Sequence, residues 1–282
     1  MVEKRPFLHL LAHLVLILGV LIVAFPVWLA FVASTHEPTA FTSGVIPLLP
    51  GSNGVETYAT MLGTGMSTSG APPLGLLLWN SFVMAMLIAV GKIAISILSA
   101  FAIVYFRFPL RSLAFWCIFI TLMLPVEVRI VPTFKVVADL GLLNSYAGLT
   151  VPLIASATAT FLFRQVFLTI PDELTEAARI DGAGPMKFFR DILVPLSRTN
   201  IAALFVILFI YGWNQYLWPL LVTTDAKFYT VVAAIKRMAE VTDAQPQWNF
   251  VMATAVMAML PPVLVVILMQ RLFVKGLVET EK

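Results

Sequence analysis

The sequence predicts an all-α integral membrane protein with about six transmembrane helices and a cytoplasmic loop built from two short helices. Three observations carry this. The 282 residues are 60% hydrophobic and 12% charged, with a mean hydropathy of +0.95, whereas a soluble domain carries about 25% charged residues. The charges fall between long apolar runs instead of around them, the pattern that hydrocarbon imposes on a spanning chain. Lys and Arg are also distributed unequally over alternate connecting segments.

The apolar runs lie near residues 10–33, 76–106, 112–137, 146–167, 200–223 and 250–274. The first follows Lys4 and Arg5 and so looks like a signal peptide. It is too long for one: a secretory apolar region has about 7–15 residues, while crossing a bilayer takes about 20. A retained first helix is expected. The third run is interrupted by Pro125, Glu127, Arg129 and Pro132, which predicts a kinked or unwound segment on its outer side.

An even number of spans puts both termini on one side. With that side cytoplasmic, 12 basic residues lie inside and 5 outside, and Lys92 falls within a span. The first outer loop, Ser34 to Gly75, contains no Lys or Arg. Both termini are therefore expected in the cytoplasm. No internal repeat or low-complexity tract divides the chain, so one domain, 1–282, is expected. Trp28, Trp79, Tyr105, Tyr146, Tyr216, Trp218 and Trp248 fall near run ends and read as an interfacial aromatic belt.

A net charge of +3 and a pI near 9.1 do not argue for nucleic-acid binding, because the basic residues are accounted for by the cytoplasmic bias. The single cysteine, Cys117, has no internal disulfide partner and reads as a small core hydrophobe. His9 and His13 are spaced i, i+4, but no third ligand lies nearby, so no metal is expected.

Residues 167–199 read as two short helices outside the membrane. The first has Thr169 as a candidate cap, Pro171 in its first turn, and Asp172, Glu173 and Glu176 where the helix dipole favours acids. It should stop near Gly182, which can adopt the left-handed conformation that ends a helix. Pro185 begins a second helix carrying Met186, Phe188, Phe189, Ile192 and Leu193, which ends at Pro195. Taken alone, Glu176 and Arg179 are a solvated i, i+3 pair worth a few tenths of a kcal/mol.

Together, Glu176-Ala177-Ala178, Gly182 and Ile192-Leu193-Val194-Pro195 resemble the EAA signature of permeases in binding-protein-dependent ATP-binding-cassette importers; Val194 stands where that family usually has leucine. The resemblance extends to Tyr211–Leu220, similar to the fifth span of carbohydrate-type (maltose-permease-like) permeases, and to the last span. Within that group, Leu124–Arg129, Asn144–Thr150 and Ala155–Arg164 resemble the smaller permeases of sn-glycerol-3-phosphate importers. The tail after Gly276 departs from the usual family ending.

The resemblance implies a partner set and a mechanism. The chain would work with a second homologous permease, a dimer of ATP-binding-cassette ATPases that binds ATP and Mg, and a periplasmic or extracellular substrate-binding protein, all at a bacterial inner membrane. Residues Glu176, Ala177, Ala178, Arg179, Asp181, Gly182, Ile192 and Pro195 would couple to the ATPase, and the outer loop at 224–249 would reach toward the binding protein. The chain itself lacks a Gly-x-x-x-x-Gly-Lys-Ser/Thr loop, so no cofactor or ATP site of its own is expected.

Ionisable and polar residues inside spans are candidate path residues, since burying them in hydrocarbon is costly. Lys92 could face a water-filled path or pair with an acid on a partner chain. Glu127 and Arg129, after Pro125, could point into a cavity, where a cation suits a phosphate ester, or pair with each other. Asn214 and Gln215 could bind substrate hydroxyls or contact the partner permease. A neutral sugar or oligosaccharide is the alternative cargo. An ion-coupled secondary transporter would be expected to show internal repeats and embedded acids, and a membrane enzyme a cluster of His, Cys or Asp; neither pattern is present in the sequence.

Overall fold

A computed structural model describes the backbone of residues 6–41, 47–66, 70–121, 126–241 and 245–278, and their side chains except those of 6–9, 126–127 and 271–278. The described residues are helical throughout apart from loops and an isolated bridge between Met66 and Ala71. In order the helices are α1 (Pro6–Ser34), α2 (Gly54–Gly63), α3 (Leu74–Tyr105), α4 (Arg111–Ile120), α5 (Val126–Asp139), α6 (Tyr146–Thr150) and α7 (Ala157–Leu168). They continue with α8 (Asp172–Ile180), α9 (Pro185–Phe188), α10 (Val194–Leu196), α11 (Arg198–Trp213), α12 (Leu217–Val222), α13 (Val231–Ala239) and α14 (Trp248–Val278).

Three helices are each long and apolar enough to cross a membrane: Leu10–Ser34, Leu74–Tyr105 and Trp248–Gln270. These match the first, second and sixth runs. The other runs are broken. Tyr146–Leu153 and Ala157–Leu168 meet at 49°, with Ser156 between them accepting from the Ala159 amide as the cap of α7. The third run is divided between α4 and α5, and Pro125 lies outside the described residues. The fifth is α11, an interruption at Asn214–Tyr216, then α12.

The chain forms two compact units, residues 1–76 with 234–260, and residues 77–233 with 261–282. In the first unit, α1 leaves its apolar side chains almost wholly uncovered, as in Leu16 and Val23, which suits a helix solvated by lipid. Beyond it, Thr35 fastens the loop that follows α1: its hydroxyl accepts from the Gly51 amide at 2.8 Å and its carbonyl from the Asn53 amide at 2.9 Å. The α2 helix packs inward through Thr57 and Met61.

The second unit is organised on α3. Met84, Ile88, Val137, Leu149, Trp218 and Val222 make a buried core. Helix α11 comes close to α3 because Gly212 has no side chain; a Cβ there would lie 2.9 Å from the Ala85 Cα, the kind of small-residue contact membrane helices use. Helix α4 stacks on α7 through Phe119–Phe161 and Arg164 over Phe115, and its other faces are open. Cys117 is consequently exposed instead of in a core.

Two members of the expected aromatic belt do something else. Trp218 is buried and its indole donates to the Gly148 carbonyl at 3.1 Å. The Tyr146 hydroxyl donates to Asn80 Oδ1 at 2.6 Å.

Candidate functional site

The loop expected to be cytoplasmic begins where α7 ends. Thr169 donates to the Val166 carbonyl and closes α7 instead of capping α8. Pro171 occupies the N-cap of α8 in an extended conformation, with Asp172 and Glu173 in the first turn. Proline's missing N–H and fixed φ make it suited to this entry, so no side-chain cap is formed.

The exit from α8 follows the glycine logic closely. Gly182 has φ +71°. Its amide donates to Arg179 and the Ala183 amide to Ala178, at 3.1 and 2.8 Å. These two bonds define a Schellman termination, which satisfies carbonyls a helix end otherwise leaves open.

The second helix starts at Pro185, as the sequence indicates, but is not a uniform α-helix. After α9 the backbone takes a π turn over Phe189–Leu193, then α10, and bends by 72° into α11 at Ser197. The helix therefore runs past Pro195 to Leu196. Single π turns in a helix often mark functional positions. Within it, Arg190 Nε donates to Asp191 Oδ1 at 2.9 Å, and this bond raises the guanidinium pKa above its ordinary value.

The second loop helix and the end of α7 are clamped to the C-terminal end of α3 by aromatic rings. Tyr105 meets Phe188 edge-on at 5.3 Å and Phe167 at 6.0 Å; Phe101 meets Phe189 at 4.9 Å. The Tyr105 hydroxyl donates to the Phe167 carbonyl at 3.3 Å. A cavity of about 270 Å³ remains between them, lined by Tyr105, Arg107, Thr175, Ala178, Arg179 and Phe188. Sequence reasoning did not identify this clamp, because Phe101 looks like an ordinary span residue and Tyr105 like a member of the interfacial belt until the loop folds onto them.

The predicted loop residues divide by face. Ala178 is buried against the clamp and Ile192 is half-buried, while Glu176, Ala177, Asp181 and Pro195 are exposed. Glu176 and Arg179 form no ion pair; Arg179 lines the cavity instead. The outward face also carries Ile180, 86% exposed, and Met186, 64% exposed. A buried inner face and an uncovered apolar tip are the features of a part that docks into something else.

The polar residues inside spans also sort themselves. Lys92, only 8% exposed, places its ammonium 3.9 Å from the centroid of the Tyr211 ring. Arg129 is exposed on α5. Gln215 donates to the Tyr211 carbonyl at 3.2 Å. Asn214 is exposed at the end of α11 and does not join the group. The Glu127 side chain lies outside the described residues. Tyr211 was visible in the sequence only as one aromatic among several.

At the other end of α3, Asn80 is fully buried in its first turns. Its amide donates to the carbonyls of Lys227 and Tyr229 at 2.8 and 2.9 Å, and the Val231 amide donates to Ser81 Oγ at 2.7 Å. Asn144 Oδ1 accepts from the amides of Thr224 and Asp225. The loop at 224–230 is thus pinned to α3 and to the turn before α6.

Residues 92–279 match the family described as binding-protein-dependent transport system inner membrane component. The chain belongs to this family. It is a multi-pass inner-membrane permease subunit of an ATP-driven importer and not an enzyme. Permeases of this class work with a partner permease, an ATPase and a substrate-binding protein.

Relatives match along their whole length. Proteins described as sn-glycerol-3-phosphate transport system permease protein UgpE are 64% identical in Brucella melitensis, 62% in Rhizobium meliloti and 59% in Salmonella typhi, each covering 100% of both chains. A solved bacterial ABC transporter involved in the import of the acidic polysaccharide alginate shares the fold of this permease. One of its chains superposes with a TM-score of 0.79 at 20% identity, over 96% of this chain and 98% of its own.

Proposed function

We propose that this permease forms half of the translocation pathway for sn-glycerol-3-phosphate or related glycerophosphodiesters. The observation that carries the reading is identity of 59–64% across the full chain to permeases described for that substrate. A buried Lys92, its ammonium against the Tyr211 ring, supports an anionic cargo over a neutral sugar.

In this reading all of 1–282 acts as one permease domain with both termini cytoplasmic. A second, homologous permease completes the path within the bilayer. Two ATPase subunits bind ATP with Mg, and a periplasmic binding protein delivers cargo near the outer loop at 224–249. Glu176, Ala177, Ala178, Arg179, Asp181, Gly182, Ile192 and Pro195 form the ATPase-coupling element. Closure of the ATPase pair on ATP moves α8 to α10, and the aromatic clamp passes that motion to α3 and α7. The switch between inward-facing and outward-facing states is then differential stabilisation of two conformations. Lys92, Glu127, Arg129, Asn214 and Gln215 are the path candidates.

The test is uptake into vesicles holding the reconstituted complex with its binding protein. Uptake of sn-glycerol-3-phosphate dependent on ATP, without uptake of neutral disaccharides, supports the reading. Uptake of disaccharides alone overturns it.

A further inference from the structure

We infer that the cavity between α3, α4 and α7 binds the headgroup of an anionic phospholipid, with Arg111 and Arg164 holding its phosphate. The inference is independent of the cargo. It concerns the membrane surface at the end of the spans from which the loop 167–199 departs.

The cavity lies within the second unit and measures about 360 Å³, a volume in the range of small-molecule sites. The end of α3 and Leu168 of α7 supply apolar walls, and the polar groups are Arg111 and Ser112 on α4 and Arg164 on α7. The two guanidiniums are placed by different contacts. Arg164 Cζ stands 4.4 Å from the centroid of the Phe115 ring, and Arg111 Nη1 donates to the Phe106 carbonyl at 3.5 Å. Neither contact supplies a negative charge. Among the described residues no carboxylate lines the cavity or pairs with either arginine. Two cations that open onto one space with no acid between them favour an anion there. Each guanidinium is a planar fork matched to two phosphate oxygens, and the Ser112 hydroxyl adds a neutral donor.

The surroundings favour a lipid over a soluble phosphate. Leu113, Trp116 and Ile120 are each 55% exposed, and their i, i+3, i+7 spacing puts them in one apolar stripe along α4. Trp116 belongs to the stripe and also lines the cavity, so the polar site and the apolar track are continuous. A phospholipid uses both, its phosphate at the arginines and an acyl chain along α4. A free phosphate has no use for the stripe. Tryptophan at such a boundary is the side chain favoured at headgroup level, and basic pockets between spanning helices at the cytoplasmic face suit anionic headgroups.

Two plainer accounts compete: the arginines only follow the general excess of cytoplasmic basic residues, or the cavity receives an acid from another subunit. The test uses the complete complex, purified from vesicles of phosphatidylcholine and phosphatidylglycerol in equal parts, with the lipid that remains bound counted by mass spectrometry. The parent should retain phosphatidylglycerol in preference to phosphatidylcholine. Arg111→Gln and Arg164→Gln should each weaken that retention about fivefold, as expected for one basic residue at a membrane surface. Arg111 is exposed, so its variant tests the site even if Arg164→Gln disturbs the packing of α4 on α7. Lys187→Gln removes an exposed charge at the same end but outside the cavity and should leave retention unchanged. Equal loss in Lys187→Gln overturns the site in favour of general charge attraction. Unchanged retention in Arg111→Gln also overturns it, and so does loss of a subunit from that variant without loss of lipid, which makes the cavity a subunit contact. Release of the lipid by millimolar inorganic phosphate would assign the arginines to a soluble anion instead.

Discussion

The amide of Ala183 donates to the carbonyl of Ala178 at 2.8 Å, across a Gly182 whose φ is +71°. That bond sets the angle between α8 and the helix beginning at Pro185. A side chain at Gly182 meets nothing within 4 Å, so only backbone conformation is at issue. Gly182→Ala should therefore cost about 1–2 kcal/mol in the loop, and Gly182→Pro should abolish the turn. Both variants should remain in the membrane. Copurification of the ATPase should fall modestly in the first and be lost in the second; normal transport by Gly182→Pro would rule out this loop as the coupling element.

Asn80 offers a second test, at the opposite end of the molecule. Its amide donates to two carbonyls of the outer loop while its oxygen accepts from Tyr146. Asn80→Ala leaves these part-buried partners without it, at up to about 1–3 kcal/mol for each group. Asn80→Asp should be at least as damaging, since a carboxylate facing two carbonyls repels them. Limited proteolysis from the outer face should cut near 224–230 faster in both variants, and Tyr146→Phe should show a smaller effect of the same sign.

The approach of α3 and α11 gives a graded prediction. Because a Cβ at Gly212 would stand 2.9 Å from the Ala85 Cα, Gly212→Ala forces a small separation and Gly212→Val a larger one. Overpacking of this kind costs about 1–3 kcal/mol. Thermal stability of the detergent-solubilised complex should decline in the order Gly, Ala, Val. Equal stability of all three would mean that α11 is free to move away from α3.

The spans and the loop were legible in the sequence for different reasons. Hydropathy alone located Leu74–Tyr105 and Trp248–Val278, because a spanning helix must be apolar over its whole length. It could not show where the third, fourth and fifth runs break: at Ser156 the backbone carbonyl is satisfied by the Ser96 hydroxyl on α3, a tertiary neighbour that hydropathy does not see. Gly182 and Pro185 were legible because their backbone requirements are local. Thr169 was misassigned because it can close one helix as readily as open the next, and the choice depends on Pro171. The pairing of Lys92 with Tyr211 joins residues on separate helices, and no spacing rule reveals it.

The two faces of the loop should be separable by mutation. Ile180 is 86% exposed and touches little of its own chain; Ile180→Glu should leave stability within about 0.5 kcal/mol yet prevent the ATPase from copurifying, since the charge would enter an apolar contact. Phe188 is buried and stacks edge-on against Tyr105. Phe188→Ala should retain the ATPase, because the outward face of α8 is unchanged, but loosen the loop from α3, with a local cost of about 3 kcal/mol or more. Such a complex should hydrolyse ATP while moving little substrate. If Phe188→Ala instead lost the ATPase and Ile180→Glu did not, the face proposed to dock would be the wrong one, and force would have to reach α3 by another route.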